Sequence, residues 1–422
     1  MYSEEITAAV IDIGNGSCRA GSSGEDTPKY ILPSVVGVLE NKNSELSMDI
    51  ESEQTKNRRT LFAGEHQIKF RRDNMEIVES IRNGQYLNFE LIEKLINDVY
   101  YENLQILPSK YPLLMSEPSI PIKEQRQKMI ELAFEKFATP AYYVCKSAVL
   151  SCFASGRSTS LILDSGASHT IAVPVNDGYA LQKSTISIEL GGNHLTQKVL
   201  KAIEEDCKTA VVPRSLLNVK SDEEGTKKVE YVDYPNTTKS YLNYMKLDIA
   251  RDAKETLCRL VDVKQEGVKA EKLEYELPDG KTIDLGDSRY TLGEMFFNPV
   301  MARQDFKDLD LTNFKGLHHM VMESINKCDI DVRKELLSNI ILTGGNSLLN
   351  GLYENLQKKI FDIAPQNAKV KITASPLSAE RKFSTWIGGS ILSSLGSFQN
   401  MWISKAEYDE IGSYVVEKKC PQ

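Results

Sequence analysis

An α/β fold assembled from two related halves is the architecture the sequence predicts, and three segments predict it. AAVIDIGNGSCRAG (Ala8 to Gly21) and LILDSGASHTIAVP (Leu161 to Pro174) are each a short apolar run that ends in Asp-x-Gly and a turn of small residues before a second β-rich run. The third, SNIILTGGNSLLNGL (Ser338 to Leu352), is an apolar strand entering Gly344-Gly345 and then a helix-like stretch, a place where backbone can approach a flat ligand closely. The paired turns read as a phosphate loop in duplicate. Glycines at 14, 16 and 166 let backbone N–H groups reach an anion, and Asp12 and Asp164 can hold a hydrated Mg²⁺ between them. One Asp-x-Gly is commonly a plain tight turn, so the reading rests on there being two.

The elements follow in order. After the first turn, Glu40 to Arg59 is polar, charged and without periodicity, and is expected to be a surface loop. FELIEKLINDVYY (Phe89 to Tyr101) has apolar residues at helical spacing with Asn88 placed to cap it. YPLLMSEPSIP reads as a buried strand, IKEQRQKMIELAFEKFATP as a helix stopped by Pro140, and Tyr142 to Gly156 as a strand followed by a buried helix. The program then restarts at the second turn, which implies an internal duplication with the ligand between the halves. Asn218 to Pro235 and Val263 to Leu285 are charged and lack long apolar runs, so they read as solvent-facing elaborations.

Composition narrows the function classes. At 422 residues the chain exceeds the size at which one core keeps growing, so two large lobes are expected. A net charge of −8 argues against a broad face for nucleic acid, so no direct sequence-specific DNA binding is expected. Seven cysteines without a C-x-x-C pair read as reduced, mostly buried thiols, and the adjacent His318 and His319 as packing or surface residues that would face different ways on a helix. No run approaches 18 apolar residues and MYSEEIT is polar, so no membrane partner is expected and the chain reads as soluble and intracellular.

The two turns, GEDTPKYILPSVVG, RDAKETLC (Arg251 to Cys258) and the block ERKFSTWIGGSILSSLGSFQNMWISKAEYDEIG together resemble the actin superfamily over nearly the whole chain. The resemblance implies an actin-like ATPase fold: two duplicated ribonuclease-H-like lobes around a nucleotide cleft. The lobes would run 1–156, with a small insertion at about 38–74, and 157–350, with a small outer subdomain at about 190–285; 351–422 would return to the first. It implies ATP with Mg²⁺ or Ca²⁺ as cofactors. Asp12 and Asp164 match the carboxylates that position the cation through water; Gly14, Asn15, Gly16, Ser17 and Arg19 match the first phosphate loop, Arg19 standing where a lysine is usual. Ser165, Gly166 and Ala167 match the second loop, Lys254 and Glu255 the pair on the adenosine, Gly344, Gly345 and Asn346 the adenine-side turn, and Lys382 a lysine over the base.

The departures carry as much information. Conventional actin has a Gln at Ser147, an Asp at Ala167 and a His at Ile171, groups that orient the attacking water and move its proton, and a Tyr near the adenine at Leu349. Losing one positioned base typically costs roughly 10²- to 10⁴-fold, so little hydrolysis is expected, with His169 as the nearby substitute to weigh. The rewritten interval after Glu40 argues against ordinary filaments. DSGASHTIAVPVNDGYALQKS, CDIDVRKELLSNIILTGGN and VVEKKCP are similar to the nuclear actin-related protein 4 subfamily. That resemblance implies a nuclear assembly subunit in chromatin remodelling and histone acetyltransferase complexes, and so in transcription regulation and DNA repair. Its partners would be monomeric actin and a helicase-SANT-associated helix of a remodeller ATPase or acetyltransferase scaffold. Histones or nucleosomes would be met through the complex. An apolar groove near Ile387 to Phe398 is the expected seat for such a helix. The alternatives are a slow ATPase switch, a polymerising cytoskeletal protein and, from a different reaction class, a sugar kinase.

Overall fold

The computed structural model describes residues 7–40, 59–221, 227–260 and 272–420. The loop expected between Glu40 and Arg59 therefore lies almost wholly outside the described residues, as does the start of the second elaboration. In chain order the elements used below are β1 (Ala9–Ile13), β2 (Ser17–Ser22), β3 (Tyr30–Pro33), α1 (Phe89–Asp98), β4 (Leu113–Glu117), α2 (Lys123–Glu131), β5 (Ala141–Lys146) and α3 (Ser147–Ala154). They continue with β6 (Ser160–Ser165), β7 (Thr170–Asn176), β8 (Tyr179–Ala180), β9 (Ile186–Ile188), α4 (Lys239–Leu257), β10 (Ile340–Thr343), β11 (Ile372–Thr373), α5 (Ser378–Ser394) and β12 (Ile403–Ser404).

Two sheets repeat one plan. The first has the order β12-β5-β4-β1-β2-β3, the second β8-β7-β6-β10-β11 with β9 also on β7. In each, an antiparallel hairpin (β1 with β2, β6 with β7) is followed outward by parallel neighbours, β4 and β5 in one case and β10 and β11 in the other. The parallel strands need helical crossovers, which is why strands and helices alternate in the sequence. β12 lies antiparallel to β5, pairing Ile403 with Tyr142, so the C-terminal segment closes the first sheet.

Local sequence explains the elements that position the two hairpins. Asn88 caps α1, its side chain accepting the Glu90 N–H at 2.8 Å, and α1 buries Leu91, Ile92, Leu95 and Ile96. The expected helices up to Tyr101 and up to Pro140 end instead in π-helical turns, Val99–Leu104 and Leu132–Lys136. α5 packs on the first half: Trp386 donates its indole N–H to the Val10 carbonyl at 3.0 Å, and a Cβ on Gly388 would collide with the Leu150 carbonyl of α3. Only glycine permits that helix contact.

The chain separates into two compact units, Met1–Ser34 with Ile81–Gly192 and Glu294–Gln422, and Val35–Ser80 with Asn193–Gly293. Both sheets above, and so both hairpins, belong to the first. In the second, the Val35–Ser80 segment packs on α4. Met75, Tyr241 and Met245 are buried together with Leu39, Phe62, Ile77 and Tyr244 against them. Thr238 Oγ1 donates to the Met75 carbonyl, Ile77 N–H to Ser240 Oγ at 2.9 Å, and Lys69 Nζ lies 2.8 Å from Asp248. The elaboration expected after Asn218 contains a hairpin, Leu217–Ser221 with Lys227–Tyr231. All seven cysteines are free and five are buried, as expected of reduced thiols. His318 and His319 do not face apart; their rings sit 4.3 Å from each other beside Phe297, a packing contact. Among the described residues no helix is long and apolar enough to cross a membrane.

Candidate functional site

β1–β2 and β6–β7 make the same turn twice. The Gly14 N–H donates to the Ser17 carbonyl at 3.0 Å and the Gly166 N–H to the His169 carbonyl at 3.0 Å, so each chain reversal closes two residues past its Asp. The registers match as well: Asp12 stands opposite Arg19, and Asp164 opposite Ile171. The two turns meet, since a Cβ on Gly16 would lie 2.9 Å from that of Ala167. The third segment joins them at Gly344, whose φ of 91° favours glycine and whose missing Cβ would strike Asp164 Oδ1 and the Ser165 carbonyl. Three segments that are far apart in sequence thus form one cradle of small residues.

Charge is distributed unevenly around it. Arg19 Nη1 donates to Asp12 Oδ2 at 2.6 Å, and Ser116 Oγ donates to Asp12 Oδ1 at 2.5 Å. Arg19 Nε is buried without a hydrogen-bond partner among the described residues, and the guanidinium stands 5.9 Å from the Phe383 ring. Burial pushes the Asp164 carboxyl up to about 6; Arg19 pulls it back down and Asp12 adds to the rise. Two carboxylates, an unpartnered cationic donor and glycine turns fit a phosphate-bearing ligand with a hydrated cation.

The remaining expected residues of the first unit have definite roles. Asn15 pins the first turn, its amide N–H reaching the Ile81 carbonyl at 3.5 Å and its Oδ1 accepting the Gly84 N–H at 3.2 Å. Ser165 is fully buried, its hydroxyl joined to Thr170 Oγ1 at 2.9 Å and to the Asn346 amide at 2.9 Å, while Thr170 donates to the Leu190 carbonyl at 2.7 Å. Asn346 and Ser165 therefore brace the second turn from behind. Lys382 follows Arg381, whose carbonyl accepts the Gly344 N–H at 3.0 Å, and a Cβ on Gly345 would lie 3.8 Å from the Lys382 stem. Lys254 and Glu255 lie near the end of α4 in the second unit. Sequence reading missed Ser116: in a strand it carries no motif, and only its parity with Leu114 in β4 hints at a shared face.

The profile of the family described as actin matches residues 3–421. The chain belongs to the actin family. It is 42% identical over 450 residues to actin-related protein 4 of Oryza sativa, in both subspecies indica and japonica, and 40% identical over 446 residues to actin-related protein 4 of Arabidopsis thaliana, each match covering all of both chains. The duplicated α/β sheets agree with the actin fold. Sequence similarity to actin-related protein 4 extends from end to end.

The structure places the three positions at which the sequence is expected to depart from conventional actin. Ser147 opens α3 with its hydroxyl 3.1 Å from Ser119 Oγ, Ala167 presents a methyl to Gly16, and Ile171 is buried in an apolar cluster with Ala148, Val149, Ile162 and Val173. None carries a group that could orient water and accept its proton. His169 is half-buried with Nδ1 3.2 Å from Ser168 Oγ, and burial holds its imidazole down at about 4, which makes it a weak base near neutrality. Elsewhere in the first unit a cavity of about 330 Å³ is lined by Tyr143, Phe153, Tyr179, Leu395, Phe398 and Met401 among others. It coincides with the C-terminal half of the groove expected near Ile387 to Phe398; Ile387 itself is core.

Proposed function

We propose that this chain is a nuclear, non-filamentous actin-related subunit that binds ATP with Mg²⁺ or Ca²⁺, hydrolyses it little or not at all, and assembles with monomeric actin on a helix of chromatin remodelling and histone acetyltransferase complexes. The observation that carries the reading is the abutting pair of hairpins, glycine turns meeting at Gly16 and Ala167 with Asp12 and Asp164 at their bases, in a chain that lacks a water-activating side chain at Ser147, Ala167 and Ile171. The cation would screen the phosphate charge. Asp12 and Asp164 would hold it through water, while Gly14, Gly16, Gly166 and Arg19 take the phosphates. Gly344, Gly345 and Lys382 would take the adenine side and Lys254 and Glu255 the adenosine, with lobe boundaries near 156 and 350. Bound nucleotide then stabilises the fold by mass action without turnover.

For assembly, the cavity beside Phe398 has the apolar, aromatic lining that suits an amphipathic helix from the scaffold subunit, and histones would be reached through the complex. Similarity to actin-related protein 4 over the full length supports the nuclear setting. The test is titration calorimetry of ATP·Mg²⁺ against the purified chain and Asp164→Ala, followed by pull-down on the scaffold helix. Loss of nucleotide affinity in the variant is the expected result; equal affinity in both would remove the second turn from the site. A Leu395→Asp chain that still binds the helix as tightly would place the docking surface elsewhere.

A further inference from the structure

We propose that Arg19 is a fixed internal cation of the nucleotide site, so that a nucleoside triphosphate stays bound to this chain after its divalent metal is removed. The inference rests on the nucleotide reading above and concerns what holds the phosphates. Both oxygens of Asp12 already accept short hydrogen bonds, one from Arg19 Nη1 at 2.6 Å and one from Ser116 Oγ at 2.5 Å. A carboxylate neutralised at that distance offers a hydrated metal much less than a free one does. The guanidinium is also fixed in place. Its Nη1 would lie 2.9 Å from a Cβ on Gly14, so it rests against the backbone of the first turn, and the Phe383 ring lies on another side at 5.9 Å.

The fork has a donor to spare. Arg19 Nε is buried with no hydrogen-bond partner among the described residues, and a buried charged donor without an acceptor is costly. An acceptor-rich, strongly anionic group such as a triphosphate is the ligand chemistry that relieves it. A planar guanidinium can keep Nη1 on the carboxylate and present Nε to a phosphate oxygen in one rigid geometry; a lysine ammonium has its donors at a single point on a flexible stem. The second hairpin has no such group, because Ile171 stands opposite Asp164. Arg19 is thus the one arginine or lysine that the hairpin registers place across from a turn aspartate.

The experiment uses the full chain loaded with 1,N6-ethenoadenosine triphosphate and Mg²⁺, freed of excess ligand, and followed by fluorescence after addition of EDTA. Chelation should speed release from the wild-type chain by less than about threefold, and from Arg19→Lys by about tenfold or more, since one charge-assisted hydrogen bond is at stake. Elemental analysis after dialysis against EDTA should find nucleotide without metal on the wild-type chain, a readout that stands even if the variant fails to fold. Wild-type release that accelerates as much as that of Arg19→Lys, or nucleotide lost together with the metal, would overturn the proposal. Failure of the wild-type chain to load in Mg²⁺ at all would show at the first step and would sink the nucleotide reading with it.

Discussion

The two Asp-x-Gly hairpins share their strands, their turn hydrogen bond and their register, yet differ in what faces the aspartate. Opposite Asp12 is Arg19, in an ion pair of 2.6 Å; opposite Asp164 is Ile171, packed into the apolar cluster under α3. Duplication supplied the same backbone twice, and a single cross-strand position decides whether the carboxylate has a cation beside it or is left to burial. The consequence is visible at Asp164, whose carboxyl burial lifts to about 6. One turn carries its own cation beside the carboxylate, with Arg19 Nε left over as a donor, and the other has no such group across from its aspartate.

Substitutions can break or sharpen this contrast. The largest effect is expected at Gly344, which packs against the second turn. Gly344→Val combines a φ of 91° with collision against Asp164 and Ser165, and should cost about 3 kcal/mol or more of stability and abolish ATP binding in calorimetry. Next is Arg19→Ala, which leaves Asp12 buried without its cation; the pair is partly solvent-exposed, so about 2 kcal/mol lower stability by urea unfolding is expected rather than the full cost of a buried pair. At the matching site, Ile171→Val should cost only about 1 kcal/mol, as a deleted methyl in a core, and leave ATP affinity unchanged. A change in affinity there would mean the second turn is set from Ile171 after all.

Asp164 gives the pH dependence. Its folded value of about 6 lies above the ordinary 3.8, so the group adds stability at low pH that is lost as pH rises through 6. Asp164→Asn cannot ionise, so the ligand-free variant should melt above the wild-type chain at about pH 8, with the advantage gone by about pH 4. Equal melting temperatures at the higher pH would mean that Asp164 is not strained by burial. The smallest effect is expected for His169→Gln: an imidazole held at about 4 is already neutral near pH 7, and nucleotide turnover should not change measurably.

Much of this was legible because it is local. The hairpins are written as apolar run, Asp, small residues and apolar run. The Asn88 cap precedes a helical pattern. What could not be read depends on contacts distant in sequence. Ser116 reaches Asp12 across 104 positions, Trp386 reaches Val10 across 376, and Met75 meets Tyr241 in a compact unit that joins two segments of the chain. The π-helical turns after α1 and α2 have apolar spacing that a helical period accommodates without betraying the change in backbone. Arg19 lies between these cases: its charge is plain in the sequence, while its hold on Asp12 required the register.

The cradle formed by the two hairpins is proposed to keep ATP intact. The direct measurement is to purify the chain, incubate it warm with Mg²⁺ for many hours, denature it and identify the released nucleotide by chromatography. The account predicts one equivalent of ATP, unchanged with time; progressive conversion to ADP would contradict it.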